Sequence, residues 1–262
     1  MAFETIVLEV VDGVAKLTLN RPEAMNSLNA QLAAELRTAA IDIERNPEVR
    51  AVLISANGRI FSGGGDLKAF NEQGDNMAKY ASNVTVDFHA AISRFTKIDP
   101  PIVAAVHGAA GGAGMSMVSS FDIVVAAESA KFTMAYTNAG LCPDGSSSYF
   151  LSRVVGLRRA MDLMLTNRVL TASEAEEWGL VSRVVPDENL YDEALALAQQ
   201  LAAGPTRAYG AAKRVLYEGA TSSLEQAMER ESLAIAGTME TADGREGVAA
   251  FLDKRTPDFI GR

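Results

Sequence analysis

Short runs of β-branched and other apolar residues recur along the chain, separated by longer segments in which apolar residues are three or four positions apart. The runs Ile6–Val11 and Val14–Leu19 flank Asp12-Gly13, a pair typical of a two-residue hairpin turn. Similar runs predict buried strands farther along the chain, at residues 51–55, 102–106, 123–127, 132–135 and 181–185.

The segments between these strands have helical spacing. Asn29 precedes one of them and is predicted to cap its helix, and another ends before Pro100-Pro101. Thr171 and Glu174 have the spacing of a capping box. Strands that alternate with helices predict an α/β fold, and the pattern is mostly helical from about residue 146 onward. We predict a core of residues 1–200 followed by a helical region of residues 201–262.

Composition excludes several functions. The chain has 262 residues, with 24 Lys and Arg against 33 Asp and Glu, and its net charge is -9. Because an acidic chain repels polyanions, we expect neither nucleic acid nor an anionic membrane as a partner. One cysteine and two histidines predict no disulfide and no metal site. The first ten residues do not resemble a signal peptide and no apolar run reaches membrane-spanning length, so we expect a cytoplasmic protein.

Two segments share one layout, in which a buried strand leads through a glycine-rich turn into a helix. The turns contain Gly63-Gly64-Gly65 and Gly111-Gly112. Glycine lets the backbone approach a ligand closely, and a helix N-terminus offers unpaired N–H groups. Neither turn has the pattern of a dinucleotide fingerprint or a phosphate loop. Together they indicate a site for negative charge, although tight packing alone would also account for either turn.

A series of ordered motifs resembles the crotonase (enoyl-CoA hydratase/isomerase) superfamily over essentially the whole chain. The matching stretches are residues 20–28, 61–67, 102–114, 130–132, 140–145, 175–184 and 251–255. The resemblance implies a crotonase-type spiral of repeated ββα units with C-terminal helices that build trimers or pairs of trimers. It also implies an acyl-CoA thioester as substrate, with no cofactor beyond the coenzyme A that the substrate carries.

The resemblance assigns roles to individual residues as well. The two oxyanion N–H donors map onto Gly65 and Ala113, where alanine replaces the usual glycine. Lys254 and Phe259 match residues that reach CoA from a neighbouring subunit in the family. The full set of implied substrate-binding residues is Arg21, Ala24, Leu28, Gly63, Gly64, Asp66, Leu67, Phe88, Gly112, Tyr136, Lys254 and Phe259.

The reaction depends on which carboxylates are present. Hydratases of this family use two glutamates, and Ser116 and Tyr136 stand at those positions. Asp144 matches the acid/base of family isomerases, and one carboxylate beside an oxyanion hole is enough for a 1,3-proton shift. From its local sequence alone, Asp144 would be interpreted as a turn or helix-cap residue. With the resemblance, we predict an enoyl-CoA isomerase in which Asp144 carries the proton.

An alternative is a hydrolytic dehalogenase of the 4-chlorobenzoyl-CoA type, in which an aspartate attacks the aryl ring and a histidine activates water. Asp144 and His89 match those two residues. Phe88 and Tyr136 replace the tryptophans of the dehalogenase, and Gly65 replaces a phenylalanine, which weakens ring binding. An enoyl-CoA hydratase and a non-catalytic acyl-CoA-binding homologue are two further alternatives.

Overall fold

A computed structural model describes residues 3–262, and within that range the chain forms nine strands and eleven α-helices, besides four short 3-10 helices. The strands are β1 (Ile6–Val11), β2 (Val14–Leu19), β3 (Ala51–Ala56), β4 (Ile102–Val106), β5 (Ala109–Gly111), β6 (Ile123–Ala127), β7 (Lys131–Thr133), β8 (Leu170–Thr171) and β9 (Arg183–Val185). The helices are α1 (Ala30–Arg45), α2 (Leu67–Asn71), α3 (Met77–Phe95), α4 (Ala113–Val118), α5 (Ser147–Val154), α6 (Leu157–Thr166), α7 (Ala172–Glu177), α8 (Leu190–Ala202), α9 (Thr206–Gly219), α10 (Leu224–Met239) and α11 (Ala242–Asp253).

The strands form two sheets. The larger has the order β1-β2-β3-β4-β6-β9, and all of its neighbouring pairs are parallel except the β1-β2 hairpin. In the hairpin Ile6 pairs with Leu19 and Val11 with Val14, and both turn residues, Asp12 and Gly13, have positive φ. The smaller sheet has the order β5-β7-β8. The predicted α/β architecture is confirmed.

Buried strands and amphipathic helices form the core. Strands β3 and β4 are almost entirely buried, as expected for central strands of a parallel sheet. Helix α1 begins where predicted, because the Asn29 side chain accepts a hydrogen bond from the Leu32 amide at 2.9 Å. It packs against α3, whose buried residues include Phe88 and Phe95, while α8 packs against β3, β4 and β6. Thr171 and Glu174 form the predicted capping box of α7.

Two predicted strands are shorter than their sequence patterns. The run at residues 132–135 forms strand only as far as Thr133, because Ala135 has a left-handed backbone with φ of 53° and ends the pairing. The run at residues 181–185 forms strand only from Arg183. The prediction for residues 132–135 was therefore wrong at its end, and the departure lies directly before Tyr136.

A buried ion pair attaches α9 to the larger sheet. Lys213 Nζ lies 2.7 Å from Asp122 Oδ2, and the same oxygen accepts a hydrogen bond from the Ile102 amide at the start of β4. Burial raises the pKa of Asp122, and the charge of Lys213 opposes that rise. Helix α9 is thus held by a charge pair that water scarcely reaches. Among residues 3–262, no helix is both long enough and apolar enough to cross a bilayer.

Candidate active site

The two glycine-rich turns meet in the folded chain. Ser62 and Ala110 form a parallel bridge, and Leu28 forms another with Gly65. A Cβ at Gly64 would lie 2.9 Å from the Gly111 carbonyl oxygen, so any side chain there would force the turns apart. Two segments about fifty residues apart therefore approach each other at backbone distance, which glycine alone permits.

The backbone N–H groups of Gly65 and Ala113 have no acceptor within the described part of the chain. The bridge between Leu28 and Gly65 uses the amides of Leu28 and Asp66, which leaves the Gly65 amide unpaired. Ala113 is the first residue of α4, and its amide has no partner inside the helix. Gly112, directly before it, has φ of 48° and ψ of -121°, a conformation open only to glycine. These unpaired N–H groups follow Gly64 and Gly112, where the turns come together.

Asp144 lies beside the turns, in the segment between β7 and α5. Its Oδ1 accepts a hydrogen bond from Tyr136 Oη at 2.7 Å, and its Oδ2 lies 3.5 Å from His89 Nε2. Its side chain is 30% exposed, so one edge of the carboxylate can be reached from outside. Helix α5 begins without a side-chain cap, so the carboxylate does not serve as one. The structure brings Asp144, Tyr136 and His89 together.

The hydroxyl groups of Tyr136 and Ser116 connect Asp144 to the second turn. Tyr136 Oη lies 3.1 Å from Ser116 Oγ, and Ser116 Oγ donates a hydrogen bond to the Gly112 carbonyl oxygen at 3.2 Å. Burial raises the pKa of Tyr136 far above its ordinary value, and the adjacent charge of Asp144 raises it further. The phenol therefore stays protonated and remains a hydrogen-bond donor.

His89 is held by the main chain that carries Asp144. The Gly145 amide donates a hydrogen bond to His89 Nε2 at 3.2 Å. Because a backbone N–H only donates, Nε2 accepts there, which puts the proton of the neutral ring on Nδ1. A protonated His89 would lose this bond and instead face Asp144 Oδ2 with a charge.

Close packing fixes the turn that carries Asp144. Gly145 has φ of 63°, and a Cβ there would lie 2.5 Å from Phe88 Cε1 and 3.0 Å from Ser116 Cβ. Phe88 is 1% exposed, so its ring packs against this turn from the side of the core. Ser147 Oγ donates a hydrogen bond to the Asp144 carbonyl oxygen at 2.9 Å, which fixes the other side of the turn.

An ion pair closes the first turn on its outer side. Arg21 Nη1 lies 2.7 Å from Asp66 Oδ2 and also donates to the Ser27 carbonyl oxygen. Burial alone would raise the pKa of Asp66, but hydrogen bonds from the Ala69 amide and from Arg21 outweigh it and hold that pKa below its ordinary value. Gly63 is exposed at this turn, as is Leu67 at the start of α2. Half-buried Ala24 lies in the preceding segment.

Two cavities of very different size adjoin the site. One of about 10 Å³ lies under the second turn and is lined by Leu28, Phe88 and Ala113 among others. Such a volume holds at most about one water molecule. The other, of about 630 Å³, is an open cleft whose walls include Asp144 and His89 together with Ile92, Tyr149, Phe150 and Tyr217. Only the cleft has room for an acyl group.

Two residues implied by the resemblance lie elsewhere in this chain. Lys254 is exposed at the end of α11, and Phe259 packs against Gly247 of the same helix, with its carbonyl oxygen bound by Arg50. Among residues 3–262, no hydrogen bond or ion pair joins either of them to the glycine turns or to Asp144. The other implied residues lie at or next to the two turns and Asp144.

Some residues of the site have no signal in the sequence. Tyr149, Phe150 and Tyr217 line the cleft, and Tyr217 comes from α9, about seventy residues after Asp144. Burial raises the pKa of Tyr217 to about 12. Their apolar positions are typical of helix packing, so only the folded chain shows that they face Asp144.

Comparison with known proteins identifies the family. The sequence model of the enoyl-CoA hydratase/isomerase family matches residues 9–262. The chain belongs to the enoyl-CoA hydratase/isomerase family. It is 40% identical to the 1,2-epoxyphenylacetyl-CoA isomerase of Escherichia coli (strain K12) over 262 residues, 99% of each protein. It is 34% identical to 4-chlorobenzoyl coenzyme A dehalogenase-2 of Arthrobacter sp over 250 residues, 95% of this chain and 91% of that protein.

Solved structures of family members agree with this fold. The crystal structure of an enoyl-CoA hydratase from Polaromonas sp. JS666 superimposes with a TM-score of 0.92 and 32% identity, covering 97% of this chain and 99% of that one. The crotonase fold predicted from the motifs is therefore confirmed. Relatives named as isomerase, dehalogenase and hydratase all share it, so the family by itself leaves the reaction open.

Proposed function

We propose that this family member is an enoyl-CoA isomerase that moves a double bond from the β,γ to the α,β position of an acyl-CoA thioester. One observation carries the proposal: Asp144 is the carboxylate joined through Tyr136 and Ser116 to the turn that carries the unpaired Ala113 amide, while hydroxyl groups, those of Ser116 and Tyr136, stand at the positions that the resemblance assigns to the hydratase glutamates. A water molecule would lack the pair of carboxylates that activates it in a hydratase. A proton shift needs only one.

The proposed reaction balances with protein groups alone. Asp144 takes a proton from C2, and the electron pair of that C–H bond moves into the thioester as an enolate. The amides of Gly65 and Ala113 stabilise the charge on its oxygen. Asp144, now neutral, returns the proton to C4 as the double bond forms between C2 and C3. Neither an oxidant nor a second substrate is consumed.

The cavities and the ion pair support a direction for the substrate. The acyl group would extend past Asp144 into the cleft of about 630 Å³, because the smaller cavity of about 10 Å³ cannot hold it. The CoA moiety would lie along the first turn, near Arg21 and Asp66, where the backbone of Gly63 is exposed. Lys254 and Phe259 would act at the site of a neighbouring subunit, since no hydrogen bond or ion pair among residues 3–262 joins them to the site of their own chain.

The test follows the conjugated-thioester absorbance after a 3-enoyl-CoA is added. We expect turnover by the parent protein and a loss of about 10²- to 10⁴-fold in Asp144→Asn, which keeps the shape and removes the base. Asp42→Asn is the matched control, because Asp42 is exposed on α1 and remote from the site. Equal rates in Asp144→Asn and the parent would contradict the proposal.

A second candidate is a hydrolytic aryl-CoA dehalogenase, which one observation favours: His89 Nε2 lies 3.5 Å from Asp144 Oδ2. In that reaction Asp144 would displace the halide from the ring, and His89 would then draw a proton from the water that cleaves the aryl ester. Chloride release from 4-chlorobenzoyl-CoA, followed with a chloride electrode, separates the two candidates. Chloride release that disappears in both Asp144→Asn and His89→Gln would favour the dehalogenase.

A further inference from the structure

We infer that Tyr136 is a positioning residue for Asp144: it holds Oδ1 of the carboxylate and leaves Oδ2 as the oxygen that carries the proton. The inference rests on the proposed function, because it concerns the base of that reaction. It is carried by the chain of contacts from Asp144 through Tyr136 and Ser116 to Gly112.

The backbone aims Tyr136 at this place. Ala135, immediately before it, has φ of 53°, a left-handed conformation that a non-glycine residue adopts at a cost of about 1–2 kcal/mol. Such a conformation persists only where the surroundings require it. Here it ends β7 and turns the Tyr136 ring over Gly112, where Cε2 lies 3.9 Å from the position of a Cβ on that glycine. The phenol thereby comes within hydrogen-bond distance of both Ser116 and Asp144.

Counting protons fixes the direction of the bonds. An ionised carboxylate only accepts, so the single hydroxyl proton of Tyr136 is committed to Asp144 Oδ1 at 2.7 Å. Tyr136 Oη is then free to accept from Ser116 Oγ, whose other available acceptor is the Gly112 carbonyl oxygen. When the one Ser116 hydroxyl proton goes to Tyr136, the Gly112 carbonyl oxygen still accepts from the Ser116 amide at 2.9 Å. Every acceptor in this series therefore has a donor, and the phenol cannot turn away without leaving Oδ1 without a hydrogen bond.

Within residues 3–262, the other carboxylate oxygen, Oδ2, accepts no hydrogen bond of this kind. The group that faces Oδ2 is His89 on α3, whose Nε2 is 3.5 Å away and already accepts from the Gly145 amide. Two acceptors in contact do not bind each other, so Oδ2 stays open toward the cleft. A carboxylate fixed at one oxygen presents the other in one orientation, which a shuttle between C2 and C4 requires.

The first experiment measures Tyr136→Phe, which keeps the ring and removes the hydroxyl. We expect kcat with a 3-enoyl-CoA to fall about ten- to one-hundredfold, the usual cost of a hydrogen bond to a charged group, while KM changes less than about twofold. With substrate deuterated at C2, the share of deuterium recovered at C4 should also fall. A carboxyl group that Tyr136 no longer fixes would exchange its deuteron with water before it delivers the deuteron to C4. Tyr191→Phe, exposed on α8, is the matched control.

The isotope readout separates positioning from a merely structural role. A variant that is only partly folded would lose kcat but would transfer deuterium in the same proportion. Unchanged kcat and unchanged deuterium transfer in Tyr136→Phe would overturn the inference. Ser116→Ala should give a smaller loss in the same direction, because Tyr136 keeps its bond to Asp144 and loses only its support.

A second experiment needs no turnover and guards against a variant that does not fold. In protein labelled with ¹³C at Cζ of its six tyrosines, the resonance that Tyr136→Phe removes identifies Tyr136, and Asp144→Ala should shift that resonance. If the Tyr136 resonance does not move, the contact is absent and the inference fails. If the parent isomerises no 3-enoyl-CoA but the resonance does move, the proposed function fails while the contact between Tyr136 and Asp144 stands.

Discussion

Gly112 determines the direction of the Ala113 N–H, one of the two proposed oxyanion donors. Its φ of 48° and ψ of -121° orient the peptide that carries the Ala113 N–H, and its carbonyl oxygen accepts from Ser116. An alanine would strain this backbone and turn the peptide. We expect Gly112→Ala to lower kcat by about 10²–10³, the usual effect of losing one oxyanion donor, or about 2.7–4 kcal/mol. The rate of isomerisation under substrate saturation is the measurement.

The matched control is Gly237→Ala on α10. Gly237 has an ordinary helical backbone, and a Cβ there would meet nothing within 4 Å. Alanine should therefore raise the free energy of unfolding by about 0.5–1 kcal/mol and leave kcat unchanged. A similar loss of activity in both variants would mean that glycine replacement harms the protein in general.

For individual residues, the motifs predicted Gly65, Ala113 and Asp144 as members of the site but did not predict the contacts that fix Asp144 in place. The resemblance assigned Tyr136 to substrate contact, and the structure adds that its hydroxyl lies 2.7 Å from the carboxylate of Asp144. The motifs did not indicate this hydrogen bond, because the apolar run before Tyr136 is typical of a strand and contains no glycine that would indicate a left-handed residue at Ala135. A strained conformation of this kind comes from its surroundings and leaves no local pattern.

A buried charge pair contributes to the attachment of helix α9 to the larger sheet. Lys213 contacts Asp122 and also lies 3.4 Å from the carbonyl oxygens of Phe95 and Pro100. Lys213→Met would leave the carboxylate of Asp122 buried without its counter-charge. We expect a loss of about 3–5 kcal/mol in the free energy of unfolding, measured by urea denaturation. Lys79→Met, at an exposed lysine of α3, should change it by less than about 0.5 kcal/mol.

The same pair predicts a dependence on pH. The pKa of Asp122 is raised by burial, so the folded state binds the proton more tightly than the unfolded state. Stability from this group is therefore present at low pH and is lost as pH rises through the folded pKa. In Lys213→Met only the hydrogen bond from the Ile102 amide opposes that rise, so the destabilisation should be smaller at about pH 5 than at about pH 8. A penalty independent of pH would contradict this account.

Across the whole molecule, the C-terminal helices expose large apolar side chains. Phe251 and Leu252 on α11 are 82% and 73% exposed, and α10 exposes Leu233 and Ile235. Exposed apolar patches of this kind are typical of protein interfaces. Together with the resemblance, they lead us to expect a homotrimer or a pair of trimers, whose mass light scattering measures.

A single charge should weaken such an assembly. We expect Phe251→Glu to reduce the measured mass, because it would bury a carboxylate against apolar neighbours. Val86→Glu is the comparison, since Val86 is 68% exposed on α3, outside the C-terminal helices. A parent protein that sediments as a monomer would contradict the expectation and with it the proposed role of Lys254 and Phe259 in a neighbouring site.

The sequence by itself determined most elements of the fold and the two glycine turns, but not the short strands β5 and β8. Hairpin residues, caps and apolar spacing act over a few neighbours, so Asp12-Gly13, Asn29 and Thr171 specify their structures locally. Ordered motifs were enough to place the chain in its family. These features needed no knowledge of distant contacts.

Only the tertiary structure decided how Asp144 is held and where an acyl group has room. The carboxylate is fixed by a tyrosine hydroxyl that a strained residue directs, and the cleft takes Tyr217 from a helix that a buried ion pair attaches to the sheet. Each of these depends on packing between segments far apart in the chain. Short-range sequence preferences do not predict such contacts, because the free energy that maintains the contacts is gained only when the whole core assembles.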